Sequence, residues 1–251
     1  MPGGSWPQLL AHRCGGAHAP ENTLAGLFMA ARLGCRAVEF DVMLSRDAVP
    51  VLIHDETLMR TAGIPGRVCE LDAARLLATD VGRSFHPAFA GETIPSLEAA
   101  LAACRDLGLA ANLEIKPAAG FELRTGQVVG DLLRTLTPSA LPPMLLSSFS
   151  LPALRAAAER APDFTRALLV EAYSPKHAAQ AVDQGCAYLN VGVAGLDEAH
   201  VRAAHAAGLR LLVYTVNDRR IAAQFMEWGV DGLFSDRPDL LLPGNSGALI
   251  R

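Results

Sequence analysis

Eight short apolar runs alternate with longer Ala-, Leu- and Arg-rich stretches from end to end of the 251 residues, and that rhythm leaves few folds open. The runs read as strands are Leu9 to Arg13, Ala37 to Val42, Ala111 to Lys116, Met144 to Ser147, Arg166 to Val170, Ala187 to Val191, Arg210 to Thr215 and Gly232 to Ser235. Helical patterns lie between them at Leu24 to Leu33, Leu97 to Leu107, Leu151 to Arg160, Ser174 to Gln184, Glu198 to Ala207 and Arg219 to Trp228. Several are followed by glycine, Gly34 and Gly108 among them, the residue that most easily takes the left-handed conformation that stops a helix. Each helix returns the chain to a parallel neighbour, so the expected fold is α/β, a (β/α)8 TIM barrel. An open doubly wound sheet is the alternative, but its G-x-G-x-x-G turn between strand and helix is missing.

A barrel of about 250 residues commonly forms one domain, so residues 1–251 are expected to be a single one. With 51% hydrophobic residues its core can be filled. One apolar run, Pro50 to His54, stands outside the eightfold count. It follows the second strand too closely for a parallel crossover, and is expected to pair antiparallel as a hairpin around Asp47 that carries His54 back toward that strand. From Asp55 to Ser96 the pattern weakens, broken by Gly63, Pro65, Gly66, Gly82, Pro87 and Gly91, with one helical piece near Leu71 to Ala78. Residues 56–96 are therefore expected to form an insertion subdomain over the barrel mouth. Gly244 to Arg251 reads as a loose tail.

Composition excludes several partners. Net charge is −4, aromatics are 6% and no basic stripe is present, which argues against binding nucleic acid. Met1 to Leu10 lacks the charged and apolar segments of a secretory signal, and no run approaches the roughly 20 residues of a membrane span. The five cysteines are odd in number and contain no C-x-x-C, so neither a disulfide framework nor a structural zinc site is expected. A cytoplasmic location follows.

In a parallel barrel the chemistry sits at the C-terminal ends of strands. There the sequence places His12 and Arg13, Glu39 and Asp41, Glu114 and Lys116, Ser147 and Ser148, and Tyr214 to Asn217. Glu39 and Asp41 are two apart and point to the same side of the sheet, and Glu114 and Lys116 repeat that spacing. If all face inward, three carboxylates converge beside one lysine, an arrangement that needs a neutralising cation. An oxygen-only set suits Mg²⁺ or Ca²⁺ better than Zn²⁺. The alternative is a salt-bridged network in which Arg13 and Lys116 do the neutralising. Both also read as binders of an anionic group, and His12 and His54 as an acid/base pair, a kit suited to cleaving a phosphodiester. His18 and His86 lie in loops near the mouth and are kept as candidate substrate contacts, whereas His177, His200 and His205 fall on helices. Asn22 or Thr23 is expected to cap the following helix, with Glu21 near its positive end and Asn22 a lesser candidate for the site.

His12-Arg13, Pro20-Glu21-Asn22-Thr23, Glu39-x-Asp41, His54-Asp55 and Glu114-Ile-Lys116 together resemble the motif set of the glycerophosphodiester phosphodiesterase family. Leu146 to Phe149, Val213 to Asn217, Gly229 to Gly232 and Ser235-Asp236 extend the resemblance over nearly the whole chain, nearest the bacterial cytoplasmic enzymes of the UgpQ type. The resemblance implies a (β/α)8 barrel with an insertion after the second strand and hydrolysis of glycerophosphodiesters, small-molecule substrates, to an alcohol and sn-glycerol 3-phosphate. It implies Glu39, Asp41 and Glu114 as ligands of a divalent cation, His12 and His54 as general acid and base, and Arg13 and Lys116 as the phosphate grip. It also implies help from the adjacent glycerol hydroxyl, through a cyclic phosphate that water then opens. Alternatives are a lysophospholipase D-type hydrolase, and a barrel that binds phosphodiesters with little turnover. The last is raised by Cys14, which stands where the family motif has glycine. Either Gly15 and Gly16 take up the turn there, or the site is altered.

Overall fold

The computed structural model describes residues 6–242, and the expected tail at Gly244 to Arg251 lies outside them. Nine strands form one sheet: β1 (Leu9–Ala11), β2 (Ala37–Leu44), β3 (Pro50–Leu52), β4 (Ala110–Ile115), β5 (Met144–Ser148), β6 (Thr165–Val170), β7 (Tyr188–Gly192), β8 (Arg210–Tyr214) and β9 (Gly232–Ser235). All but β3 are parallel, and β1 pairs with both β9 and β2, so eight strands close into a barrel. The ninth is the expected hairpin strand, with Val42, Met43 and Leu44 of β2 opposite Leu52, Val51 and Pro50.

The period of two in each strand sorts its residues between two environments. Val38, Phe40 and Val42 of β2, with Ala111, Leu113 and Ile115 of β4, face outward into the layer of α1 (Leu24–Leu33), α5 (Leu97–Leu107), α6 (Glu122–Thr135) and α7 (Leu151–Arg160). The opposite set faces the barrel interior. Leu10, Ala37, Ala110, Leu145, Ala167, Tyr188, Leu212 and Phe234 pack there with Trp6 as an apolar floor. One step further along the strands the interior turns polar, with Asn112, Ser147 and Asn190 fully or almost fully buried. The remaining helices on the barrel are α8 (Pro175–Asp183), α9 (Glu198–Ala206), α10 (Arg219–Glu227) and a last short turn at Pro238–Leu241. Gly34 and Gly108 take the left-handed conformation after α1 and α5, as expected of helix stops.

Residues 56–96 hold α2 (Met59–Ala62), α3 (Ala73–Leu77) and α4 (Gly82–Phe85), of which the sequence pattern signals only α3. Leu58, Val68, Leu76, Val81 and Ile94 from this segment bury against Met43, Val51 and Ile53 of the hairpin, a cluster separate from the barrel layers. The segment is thereby seated beside the strand that carries Glu39 and Asp41.

Helix α6 is absent from the pattern read in the sequence because Gly126 and Gly130 interrupt its helical signal. Both glycines serve the contact with α7. A Cβ at Gly126 would lie 2.1 Å from the Ala153 carbonyl oxygen, and one at Gly130 would lie 2.6 Å from Arg160 Cβ. Gly126→Ala should therefore destabilise the protein by about 1–3 kcal/mol in urea unfolding, although alanine is the better helix former, because overpacking outweighs propensity. Unchanged or raised stability would show that α6 and α7 can move apart freely.

Candidate active site

Parallel register places Glu39 beside Asn112 and Asp41 beside Glu114 across β2 and β4, and all four side chains enter the barrel. One carboxylate oxygen from each of Glu39, Asp41 and Glu114 falls within 4.8 Å of the others, in buried surroundings. Lys116 Nζ reaches Asp41 Oδ1 at 3.2 Å and Glu114 Oε1 at 3.3 Å. Arg13 Nε lies 3.8 Å from Asp41 Oδ2. Two cations thus face three carboxylates, and the deficit is local: Glu39 Oε1 is buried without a hydrogen-bond partner. The donor set and the orphaned oxygen fit a divalent cation with oxygen ligands.

Burial pushes the Glu39 carboxyl up to about 7 and the Glu114 carboxyl up to about 8, and the neighbouring Asp41 charge adds to both. Burial opposes ionisation of Asp41 too, but Lys116, His54, Arg13 and the Asn22 hydrogen bond outweigh it and hold its pKa below the ordinary value. Lys116 is likewise disfavoured by burial yet raised by Asp41 and Glu114.

The two histidines stand on the rim of the same cavity, each braced by a carboxylate. His12 Nδ1 lies 2.7 Å from Asp236 Oδ1, and Asn217 Nδ2 donates to Asp236 Oδ2 at 3.0 Å. His54 Nδ1 lies 2.7 Å from Asp55 Oδ1. An ionised carboxylate only accepts, so Nδ1 carries the proton in both rings and Nε2 is left for other partners. Burial lowers the His12 pKa, but Asp236 and Glu39 outweigh it and the net shift is upward. For His54 burial wins over Asp41 and Asp55, and the net shift is downward.

His12, Arg13, Glu39, Asp41, His54, Glu114 and Lys116 line one cavity of about 630 Å³, counting its open mouth. The seven residues read as ligands, acid/base pair and phosphate grip therefore meet in one place. Its other wall is apolar, made by Phe149, Leu169, Tyr214 and Phe234. The family model described as the glycerophosphoryl diester phosphodiesterase family matches residues 12–240. The chain belongs to that family. A glycerophosphodiester phosphodiesterase from Caldanaerobacter subterraneus is 30% identical over 240 residues, covering 93% of this chain and 96% of the relative. Among solved structures, an Oleispira antarctica phosphodiesterase in complex with the product sn-glycerol-3-phosphate shares 36% identity and a TM-score of 0.89, over 93% of this chain and 94% of that one. A glycerophosphodiester phosphodiesterase from Agrobacterium tumefaciens shares 26% identity and a TM-score of 0.76, over 94% and 98% of the two chains.

Several expectations change in detail within this family site. Thr23 rather than Asn22 caps α1, accepting from the Gly26 N–H. Asn22 instead clasps Asp41, donating from Nδ2 to Asp41 Oδ2 at 2.8 Å and accepting the Asp41 N–H at 3.0 Å. Glu21 is tied to Arg13 and Arg60. His18 and His86 do not line the cavity: His18 pairs with Asp239 at 2.6 Å, and His86 accepts the Ala88 N–H. Ser147 and Ser148 are spent on Asn112 and the Ile115 carbonyl. Asn217 and Asp236 fall in segments of the family resemblance but were assigned no role, because Asp236 meets His12 only across 224 residues and Asn217 meets Asp236 across 19; Arg60, which joins Asp55 to Glu21 across 39 residues, was not marked at all.

Cys14 shares the turn with Gly16, which is left-handed at φ 58° as expected. It adopts the left-handed conformation itself, with φ 74°, directly after Arg13 at φ 49°, which is why β1 stops at Ala11 rather than continuing to Arg13. A non-glycine residue there costs about 1–2 kcal/mol. Its side chain is buried in the outer layer against α1, where glycine at position 26 makes room: a Cβ there would stand 2.8 Å from Cys14 Cβ. Burial pushes the thiol well above its ordinary range. The backbone it carries still serves the site, since Arg13 N–H donates to Glu39 Oε2 at 2.9 Å.

Stability should report the triad's charge. A carboxyl raised by folding stabilises the protein below its unfolded value, 4.5 here, and that contribution is lost as pH rises through the folded value. His12 adds to this trend and His54 opposes it, while Asp41 acts only at lower pH. In EDTA, Tm should fall between about pH 4.5 and 8, and Mg²⁺ or Ca²⁺ should raise it most at the alkaline end. A flat profile, or no response to either ion at pH 8, would contradict the assignment.

Proposed function

We propose that this protein hydrolyses glycerophosphodiesters to an alcohol and sn-glycerol 3-phosphate in a metal-dependent reaction with histidine acid/base catalysis. The observation that carries the reading is the convergence of a buried carboxylate triad, two braced histidines and two cationic side chains on one cavity of a family member. The product bound to the Oleispira antarctica phosphodiesterase supports the choice of substrate.

Glu39, Asp41 and Glu114 would hold Mg²⁺ or Ca²⁺, which when bound supplies Lewis-acid stabilisation of charge on the phosphoryl oxygens. Arg13 and Lys116 bind the same group electrostatically, and Arg13 Nε has no hydrogen-bond partner within the protein. One histidine takes the proton of the attacking hydroxyl at Nε2, and the other gives a proton from Nε2 to the leaving alcohol oxygen as the P–O bond breaks. Asp236 and Asp55 fix the tautomer and steady the imidazolium that each transfer requires. The weak-turnover alternative loses its motive because the Cys14 side chain faces α1.

Residues 56–96 act in this reading as an insertion subdomain within one barrel domain. The cytoplasmic placement is supported by free, buried cysteines at all five positions. No helix among the described residues is long and apolar enough to cross a membrane.

Incubation with glycerophosphocholine should release sn-glycerol 3-phosphate, stop in EDTA and resume on addition of Mg²⁺ or Ca²⁺. Release that persists in the chelator would sink the metal role, and preference for lysophosphatidylcholine would favour the lysophospholipase D alternative. His12→Ala and His54→Ala should each lower kcat by roughly 10²-fold or more, the usual scale of acid/base catalysis. Glu114→Gln should mainly weaken metal binding. Wild-type rates in either histidine variant would overturn its role.

A further inference from the structure

Arg60, on α2 of the 56–96 segment, holds two carboxylates at once. Its Nη1 and Nη2 donate to Glu21 Oε2 and Oε1 at 2.6 and 2.7 Å. Its Nε and Nη2 donate to Asp55 Oδ2 and Oδ1 at 2.7 and 3.0 Å. Each carboxylate then leads into the cavity. Asp55 braces His54, and Glu21 accepts from Arg13 Nη1, though only at 3.2 and 3.3 Å.

The unequal distances carry the argument. Glu21 sits between two guanidinium groups, and Arg60 takes the short, paired bonds while Arg13 is left with long ones. Without Arg60, the Glu21 charge would have Arg13 as its nearest cation and would compete with any anion for it. Asp55 would lose both of its guanidinium bonds, and with them the geometry that aims His54. Arg60 is 47% exposed, and ion pairs so open to water contribute little to stability. Its effect is therefore on placement.

We propose that Arg60 is a positioning residue for both halves of the site: it orients His54 through Asp55, and it occupies Glu21 so that Arg13 stays available to the phosphate group. This rests on the reading of Arg13 as an anion binder and His54 as a proton-transfer group.

The test compares wild type with Arg60→Ala, Arg60→Lys, Glu21→Gln and the double variant Arg60→Ala/Glu21→Gln. The readouts are kcat and KM with glycerophosphocholine, calorimetric affinity for inorganic phosphate, and Tm. Arg60→Ala should weaken phosphate binding about tenfold, the scale of one charge-assisted hydrogen bond. It should also lower kcat by about 10- to 10²-fold, the penalty of a misplaced catalytic group. Adding Glu21→Gln removes the competitor, so phosphate affinity and KM should recover toward wild type while kcat stays low. That split separates positioning from a general loss of structure, which would move both together. Arg60→Lys keeps the charge without the fork and should lie between wild type and Arg60→Ala. If Arg60→Ala does not give a cooperative melt, Arg60→Lys decides, with a several-fold loss of kcat supporting the proposal. Wild-type kcat and phosphate affinity in the Arg60 variants, or failure of Glu21→Gln to restore affinity, would overturn it. Absence of wild-type turnover would count against the proposed function, and the phosphate titrations would still report on Arg60.

Discussion

Glu39, Asp41 and Glu114 enter the barrel with ligand oxygens within 4.8 Å of one another, where burial strips water from each charge. The placement follows from the sheet. Parallel pairing of β2 with β4 sets Asp41 beside Glu114, and the period of two brings Glu39 to the same face. Neighbouring groups answer this concentration of charge. Lys116 bridges Asp41 and Glu114, Asn22 clasps Asp41, and the Arg13 backbone donates to Glu39. They leave one oxygen of Glu39 without a partner, and the three ligand oxygens together could hold a cation.

Around that centre the chain builds two braced histidines by different routes. His12 and Asp236 are distant in sequence, brought together because β1 pairs with β9 as the barrel closes. His54 and Asp55 are adjacent, and reach the cavity only because the β2–β3 hairpin folds back. The 56–96 segment stands behind the second pair, anchored on Met43, Val51 and Ile53 and reaching the site through Arg60. An apolar wall of Phe149, Leu169, Tyr214 and Phe234 completes the cavity, so one side is charged and the other suited to carbon.

Much of this was legible because it is local. The spacing of Glu39 and Asp41 along β2 announced that both point to one side of the sheet, and spacing after β2 announced the hairpin. The polar residues at the ends of β1, β2 and β4 meet in one cavity. What escaped was non-local or ambiguous. Gly126 and Gly130 weaken a helical pattern for the sake of close packing with α7, and only the partner helix explains them. Glu21 and Asn22 have a plausible capping role beside α1, and their true partners, Arg60 and Asp41, lie on other elements. Cys14 looked like a disturbance of the site, yet its side chain is given room by a glycine twelve positions later that no motif connects to it.

The role proposed for the triad is to hold a divalent cation. A crystal structure grown with sn-glycerol 3-phosphate and Mg²⁺ or Ca²⁺ tests it most directly. An ion should be bonded to oxygens of Glu39, Asp41 and Glu114, at about 2.0–2.1 Å for Mg²⁺ or ~2.3–2.6 Å for Ca²⁺. The phosphate should lie against Arg13 and Lys116. An ion bound elsewhere, with Lys116 still bridging Asp41 and Glu114 and Glu39 left unligated, would contradict it.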